Sequence, residues 1–184
     1  MDFQHLSTLL WREQELLDLL LFKAEEKQYL ILAGKTRWLA RIAHEIEVVL
    51  EQLRTLEVER AAATEQIAVR LGLEANPSLR QLADSAPAPW SELYAKHHET
   101  LLTLVSELRG LSEANRELIA GRLGLEVNPS LRQLADAAPA PWSELYAKHH
   151  EGLLTLITEL RTLSAANKDP VSYTHLTLPT NREV

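Results

Sequence analysis

The sequence predicts an all-α fold, a long antiparallel helical hairpin followed by a third long helix after a Pro-rich elbow. Three observations carry this. The apolar residues recur at alternating spacings of three and four. All eight prolines lie at or after Pro77, and the first 76 residues hold only two glycines, Gly34 and Gly72. The composition is 46% hydrophobic but only 5% aromatic, which leaves the apolar content to Leu and Ala, the mixture of long helices and coiled coils.

The first helix is expected over about residues 2–33. Leu6, Leu10, Leu17, Leu20, Ala24 and Ile31 form one stripe, widened by Leu9, Leu16 and Leu21. Gly34 is the natural break and Thr36 the expected cap of the next helix. The second helix, over 36–71, carries the seam Leu39, Ile42, Ile46, Val49, Leu53, Leu56, Arg60, Ala63 and Ile67, with Arg60 its one polar intruder. A short turn between two apolar stripes implies that the helices pair antiparallel. Gly72 ends the second helix.

A short helix is expected next, capped by Asn76 with Pro77 in its first turn and Leu79 and Leu82 turned inward. Ser85–Pro89 is a stiff extended connector. The third long helix starts near Pro89 and runs to about Arg122, on a seam of Trp90, Tyr94, His97, Leu101, Leu104, Leu108, Leu111, Asn115 and Leu118. Asn115, polar in an apolar row, reads as a register device or as a place where the seam receives a partner.

The unit then recurs. Residues 123–167 repeat 71–115 at an offset of 52, with seven of 45 positions different: 75, 85, 100, 105, 106, 110 and 113. The expected organisation is a helical domain at 1–122, the near-identical copy at 123–167, and an unstructured tail at 168–184. That tail loses the helical period, and its stretch Val171–Thr180 (VSYTHLTLPT) resembles translated sequencing adaptor, so it is read as non-native.

Composition excludes several functions. The net charge of −7 opposes binding to phosphate backbones, so no nucleic-acid partner is expected. With no cysteine there is no disulfide, thiolate nucleophile or thiolate metal site. The longest purely apolar run near the N-terminus is Leu19–Phe22, far short of the roughly 20 residues that span a bilayer, so neither membrane insertion nor a signal peptide is expected. His97-His98 and His149-His150 are the metal suspects, but adjacent helical positions point about 100° apart and cannot chelate one ion. The carboxylates at Glu25-Glu26 and Glu57/Glu59 fall away from the seams, and no nucleophile elbow or phosphate loop occurs. No metal, cofactor or catalytic residue is expected, and the chain reads as a cytoplasmic non-enzyme.

Two stretches carry a resemblance. Leu9–Ala61 resembles the N-terminal helical hairpin of the flagellar export chaperone FlgN family, in an Ala- and Leu-rich, actinobacterial-like form. Pro77–Ile119 resembles that family's linker helix and third helix. The order is hairpin, Pro-rich elbow, then L-x-x-L-x-x-x-N-R-x-L-I at Leu108–Ile119, and the match covers roughly 6–122. The resemblance implies a cytosolic chaperone of flagellar type III secretion that holds hook–filament junction proteins (FlgK/FlgL type) and meets the export apparatus, as a monomer or weak dimer. It implies client binding through Leu104, Leu108, Leu111, Asn115, Arg116, Leu118 and Ile119. The alternative reading is a self-associating coiled-coil structural or adaptor protein without a secretion client. Deleting 169–184 should leave the melting temperature unchanged in a thermal scan; a drop of several degrees would show that the tail packs on the rest.

Overall fold

A computed structural model of the chain describes residues 3–124. The second copy beyond Gly124 and the tail, with the expectations that concern them, lie outside the described residues. Among the described residues the architecture is all-α: α1 (Phe3–Leu32), a short 3₁₀ turn (Thr36–Trp38), α2 (Leu39–Leu71), α3 (Leu79–Ser85) and α4 (Trp90–Leu123).

The helix ends follow from local chemistry. After α1, Gly34 takes φ +67°. The Gly34 amide donates to the Ile31 carbonyl and the Lys35 amide to the Leu30 carbonyl, the paired bonds of a Schellman end. Gly72 closes α2 the same way at φ +68°, with Leu73 bonded back to Ala68. Both are positions where a Cβ would be strained.

Two starts differ from expectation. Thr36 caps nothing: the chain makes a 3₁₀ turn first, and α2 begins at Leu39 without a side-chain cap. Ser78, not Asn76, caps α3. Its hydroxyl accepts from the Gln81 amide while the Gln81 side chain accepts from the Ser78 amide, a full capping box. Asn76 instead takes the left-handed conformation at φ +55° and Pro77 sits ahead of the cap. At α3 the stronger local motif won, since a reciprocal Ser/Gln pair satisfies two orphan amides where a lone Asn satisfies one.

α1 packs against both α2 and α4, α3 lies on α4, and the backbones of α2 and α4 barely approach one another. Directions can be read from the cross-helix bonds. Lys23 on α1 pairs with Glu45 on α2, and Glu13 with Arg60, so α2 runs antiparallel to α1. Tyr94 reaches Phe3, Asn115 reaches Ala24 and Arg122 reaches Leu32, at separations of 91, 91 and 90 residues. A constant separation means α4 runs parallel to α1, in one register.

The core is the α2 seam against α1. All nine seam positions from Leu39 to Ile67 are buried, joined by Leu6, Leu9, Leu10, Leu16, Leu17, Leu20 and Ile31. Each such Leu or Ile contributes about 1.5–3 kcal/mol by leaving water. Inside this seam Arg60 and Glu13 form an ion pair at 3.1 Å, each side chain only 5% exposed, with Glu57 completing the guanidinium's surroundings at 3.5 Å. Burial pushes the Glu13 carboxyl up, and the Arg60 charge pulls it part of the way back. Breaking the pair strands a charge; replacing both partners with apolar groups does not. Arg60→Met alone should therefore lower stability by about 3–5 kcal/mol in denaturant melts, and adding Glu13→Leu should recover most of it. Equal losses in the single and double variants would show that the pair does not set this seam.

Candidate functional site

The seam between α1 and α4 brings the sequence-singled residues together. α4 starts at Pro89, which lacks an amide to satisfy, with Glu92 in its first turn, and ends at Gly124, left-handed at φ +66°. Over 34 residues it presents the seam anticipated from the spacing, and at its proximal end that seam is aromatic. The Trp90 ring stacks on Phe3 at 6.0 Å between centroids. Tyr94 is fully buried and its hydroxyl donates to the Phe3 carbonyl at 2.8 Å.

One turn on, His97 is buried against α1. The Gln14 amide nitrogen donates to His97 Nδ1 at 2.8 Å and lies 3.4 Å from the His97 carbonyl, so it faces two acceptors. Nδ1 is therefore the unprotonated nitrogen, and Nε2–H donates to Ser7 Oγ at 3.2 Å. The Trp11 ring meets the imidazole edge-on at 4.9 Å. Burial, with a smaller contribution from Lys96, holds the His97 pKa below its usual value. In this tautomer Nε2 already carries a proton and cannot take one from Ser7, so the Ser–His contact is not a nucleophile and its base.

His98 points elsewhere. It is half-buried rather than facing water, and burial and Arg80 on α3 hold its pKa down against the pull of Glu99 and Asp84. The two neighbouring imidazoles thus serve different helices. No group of three His, Cys, Asp or Glu able to hold a metal ion occurs among the described residues.

The distal half of the seam is different in kind. Between Leu20 and Ile31, α1 has no fully buried side chain; Leu21, Ala24, Lys27 and Leu30 are half-buried. The constant offset sets this stretch beside the end of α4, where Asn115, Arg116, Leu118 and Ile119 lie, while Leu104, Leu108 and Leu111 come level with the buried Glu13, Leu17 and Leu20. Leu104, Leu108 and Ile119 are 7%, 5% and 6% exposed, and Asn115 is buried with them. Leu111, Arg116 and Leu118 are half-buried at the rim. The strict seven-residue spacing drifts around a straight helix by roughly 20° per heptad, which rotates Leu111 and Leu118 outward and brings Ile119 and Ala120 in.

The stripe is thus not an open groove. Asn115 finds a partner within the chain: Nδ2 donates to the Ala24 carbonyl at 3.0 Å, while its buried Oδ1 meets no protein donor. Arg122 closes the seam by donating to the Leu32 carbonyl at 2.8 Å, one of the orphan carbonyls at the negative end of α1. Lys27 is desolvated enough to lower its amine to about 8.

Ser7, Gln14 and Glu13 were not singled out from sequence. Ser7 and Gln14 stand seven apart within the apolar arc of α1, and that spacing was the available signal.

A pH dependence follows from His97. Its folded pKa lies below the ordinary 6.5, so the unfolded chain binds the proton more readily. Stability is complete above that value and is lost as pH falls through it. The melting temperature should drop between about pH 7.5 and pH 5.5, and His97→Gln should make the drop shallower. An unchanged slope would remove His97 from the account.

Comparison with known proteins places most of the chain in one family. No curated protein and no solved structure matches the chain. A family model described as FlgN protein matches residues 1–125, from the start of the hairpin to the end of α4. The hairpin, the Pro-rich elbow and the α4 seam together fall inside that match, and the chain belongs to the FlgN family of flagellar export chaperones.

Proposed function

We propose that this chain is a cytosolic chaperone that holds hook–filament junction proteins of the FlgK/FlgL type for flagellar type III secretion and hands them to the export apparatus. The client-binding surface is the distal stripe of α4: Leu104, Leu108, Leu111, Asn115, Arg116, Leu118 and Ile119. The observation that supports it most is the incomplete sealing of the distal seam. Leu118 stands half-buried beside a stretch of α1 with no fully buried side chain, Leu111 is half-buried just ahead of it, and Asn115 keeps a buried carbonyl oxygen without a protein donor.

A client supplied as an amphipathic helix would complete this packing. Leu111 and Leu118 form the entry edge. Deeper insertion would lift α4 to offer Leu104, Leu108 and Ile119, a movement opposed mainly by α1 and α3, whose backbones lie close to α4 while that of α2 does not. Asn115 and Arg116 would set the register of the incoming helix. Among the described residues no helix is long and apolar enough to cross a membrane. The seam chemistry assigns no base, nucleophile or metal, so binding, not catalysis, is the activity proposed.

In calorimetric titration with the terminal helix of a junction protein, Leu111→Asp with Leu118→Asp should weaken binding about 30-fold or more while circular dichroism keeps its helical signal. If the unmutated chain takes up no junction-protein helix, and instead dimerises with a melting temperature that rises with concentration, the self-associating adaptor reading replaces this one.

A further inference from the structure

We propose that the tip of the α1–α2 hairpin is a docking site for an acidic segment of a partner protein, separate from the client stripe on α4. The chain carries a net charge of −7, yet residues 27–44 hold Lys27, Lys35, Arg37 and Arg41 and no carboxylate. The turn is a cationic island on an acidic protein, and its field favours a partner of negative sign.

The tip is also shaped. Leu30 near the end of α1, Trp38 in the 3₁₀ turn and Ile42 on α2 line an open cleft of about 390 Å³, within the range of ligand-sized clefts. The charges around it are of two kinds. Lys23 pairs with Glu26 at 3.0 Å and with Glu45 at 2.6 Å, and Arg41 holds the other oxygen of Glu45 at 3.0 Å. These pairs neutralise both carboxylates of the cleft, and Lys23 and Arg41 hold the Glu45 carboxyl below its usual range.

Lys35 and Arg37 differ. Both are exposed, and neither meets a carboxylate among the described residues. The Arg37 guanidinium lies 5.0 Å over the Trp38 ring, which holds its charge beside the cleft. The ring itself is 42% exposed and open to contact. A guanidinium presents paired N–H donors that a carboxylate accepts in parallel.

The backbone adds to the same sign. The negative end of α1 is already met: the Leu30 and Ile31 carbonyls accept from the Lys35 and Gly34 amides, and the Leu32 carbonyl from Arg122. The positive end of α2 has no side-chain cap and no acidic residue in its first turn. The occupant that fits is an acidic segment with an apolar side chain between Leu30, Trp38 and Ile42 and carboxylates on Lys35 and Arg37. An anionic bilayer would also attract these cations, but here the apolar side chains line a cleft instead of forming the continuous apolar face that a bilayer takes up.

The test uses the full 184-residue chain and the fluorescence anisotropy of a labelled peptide in which Asp and Glu residues flank a central Leu-Phe pair. The peptide should bind at low salt, and about tenfold more weakly when ionic strength rises from about 0.05 M to about 0.5 M. Lys35→Glu with Arg37→Glu should abolish binding and Trp38→Ala should weaken it about fivefold. Both variants should keep the melting temperature, because the three side chains are exposed. Leu111→Asp with Leu118→Asp should bind the peptide as the unmutated chain does, which tests this surface apart from the client stripe. The proposal is overturned if the unmutated chain takes up no peptide, or if the charge-reversed variant binds equally well. It is also overturned if a peptide with Asn and Gln for its acids, or with Gly-Gly at its centre, binds as tightly as the original. Binding of phosphatidylserine–phosphatidylcholine vesicles through Lys35 and Arg37, with none of the peptide, would replace the acidic segment by a lipid surface and overturn it too.

Discussion

A helix that carries one partner on each flank must bury about half its circumference, and each polar group caught in that arc must find its match on a neighbour. α1 is that helix. Its apolar residues cannot all be covered by α2, so α4 takes the remaining flank. The polar residues in the arc then choose the registers. Glu13 meets Arg60 on α2, while Ser7 and Gln14 meet His97 on α4. A shift of either neighbour by a single turn would bury an unpaired carboxylate, guanidinium or imidazole, and the cost of that far exceeds any gain from sliding apolar surfaces. The apolar seams bring the helices together; a handful of polar groups decide how.

The same logic explains why the two ends of the α1–α4 seam differ. The proximal end is filled by Phe3, Trp90, Tyr94 and the His97 cluster, with its hydrogen bonds paired. The distal end relies on one amide and one guanidinium reaching backbone carbonyls, with aliphatic side chains left at the rim. A helix anchored at one end and loosely sealed at the other can open without unfolding, because the anchored end keeps its register while the loose end exchanges contacts.

Much of this was legible in the sequence. The α2 seam from Leu39 to Ile67 was read residue by residue, because a two-flank core imposes an unbroken period of three and four on it. Gly34 and Gly72 marked their helix ends because only a residue without a Cβ closes a Schellman turn cheaply. The α4 seam was right at Tyr94, His97, Leu104, Leu108 and Asn115. Trp90, Leu101, Leu111 and Leu118 are only half-buried, and at Leu111 and Leu118 the reason is that a periodic template does not show the drift of a straight helix. Glu13 was not singled out, because its meaning needs the antiparallel pairing that brings it to Arg60. Asn115 was read either as a register device or as a place that receives a partner; the parallel approach of α4 to α1 puts the Ala24 carbonyl within its reach, which the spacing alone does not show. Nothing in a linear pattern indicates that α1 and α4 run parallel.

That parallel, single-register seating of α4 on α1 is the claim on which the rest stands. The chain contains no cysteine, so pairs of spin labels can be placed cleanly. Thr8 with Glu99 and Glu26 with Glu117 are all exposed and share the 91-residue offset of the Tyr94 and Asn115 bonds. Pulsed dipolar spectroscopy should return two short, nearly equal distances, with the crossed pair Thr8 and Glu117 about 27 Å further apart along the helices. Unequal distances in the matched pairs, or a short distance in the crossed pair, would contradict the register and with it the seam.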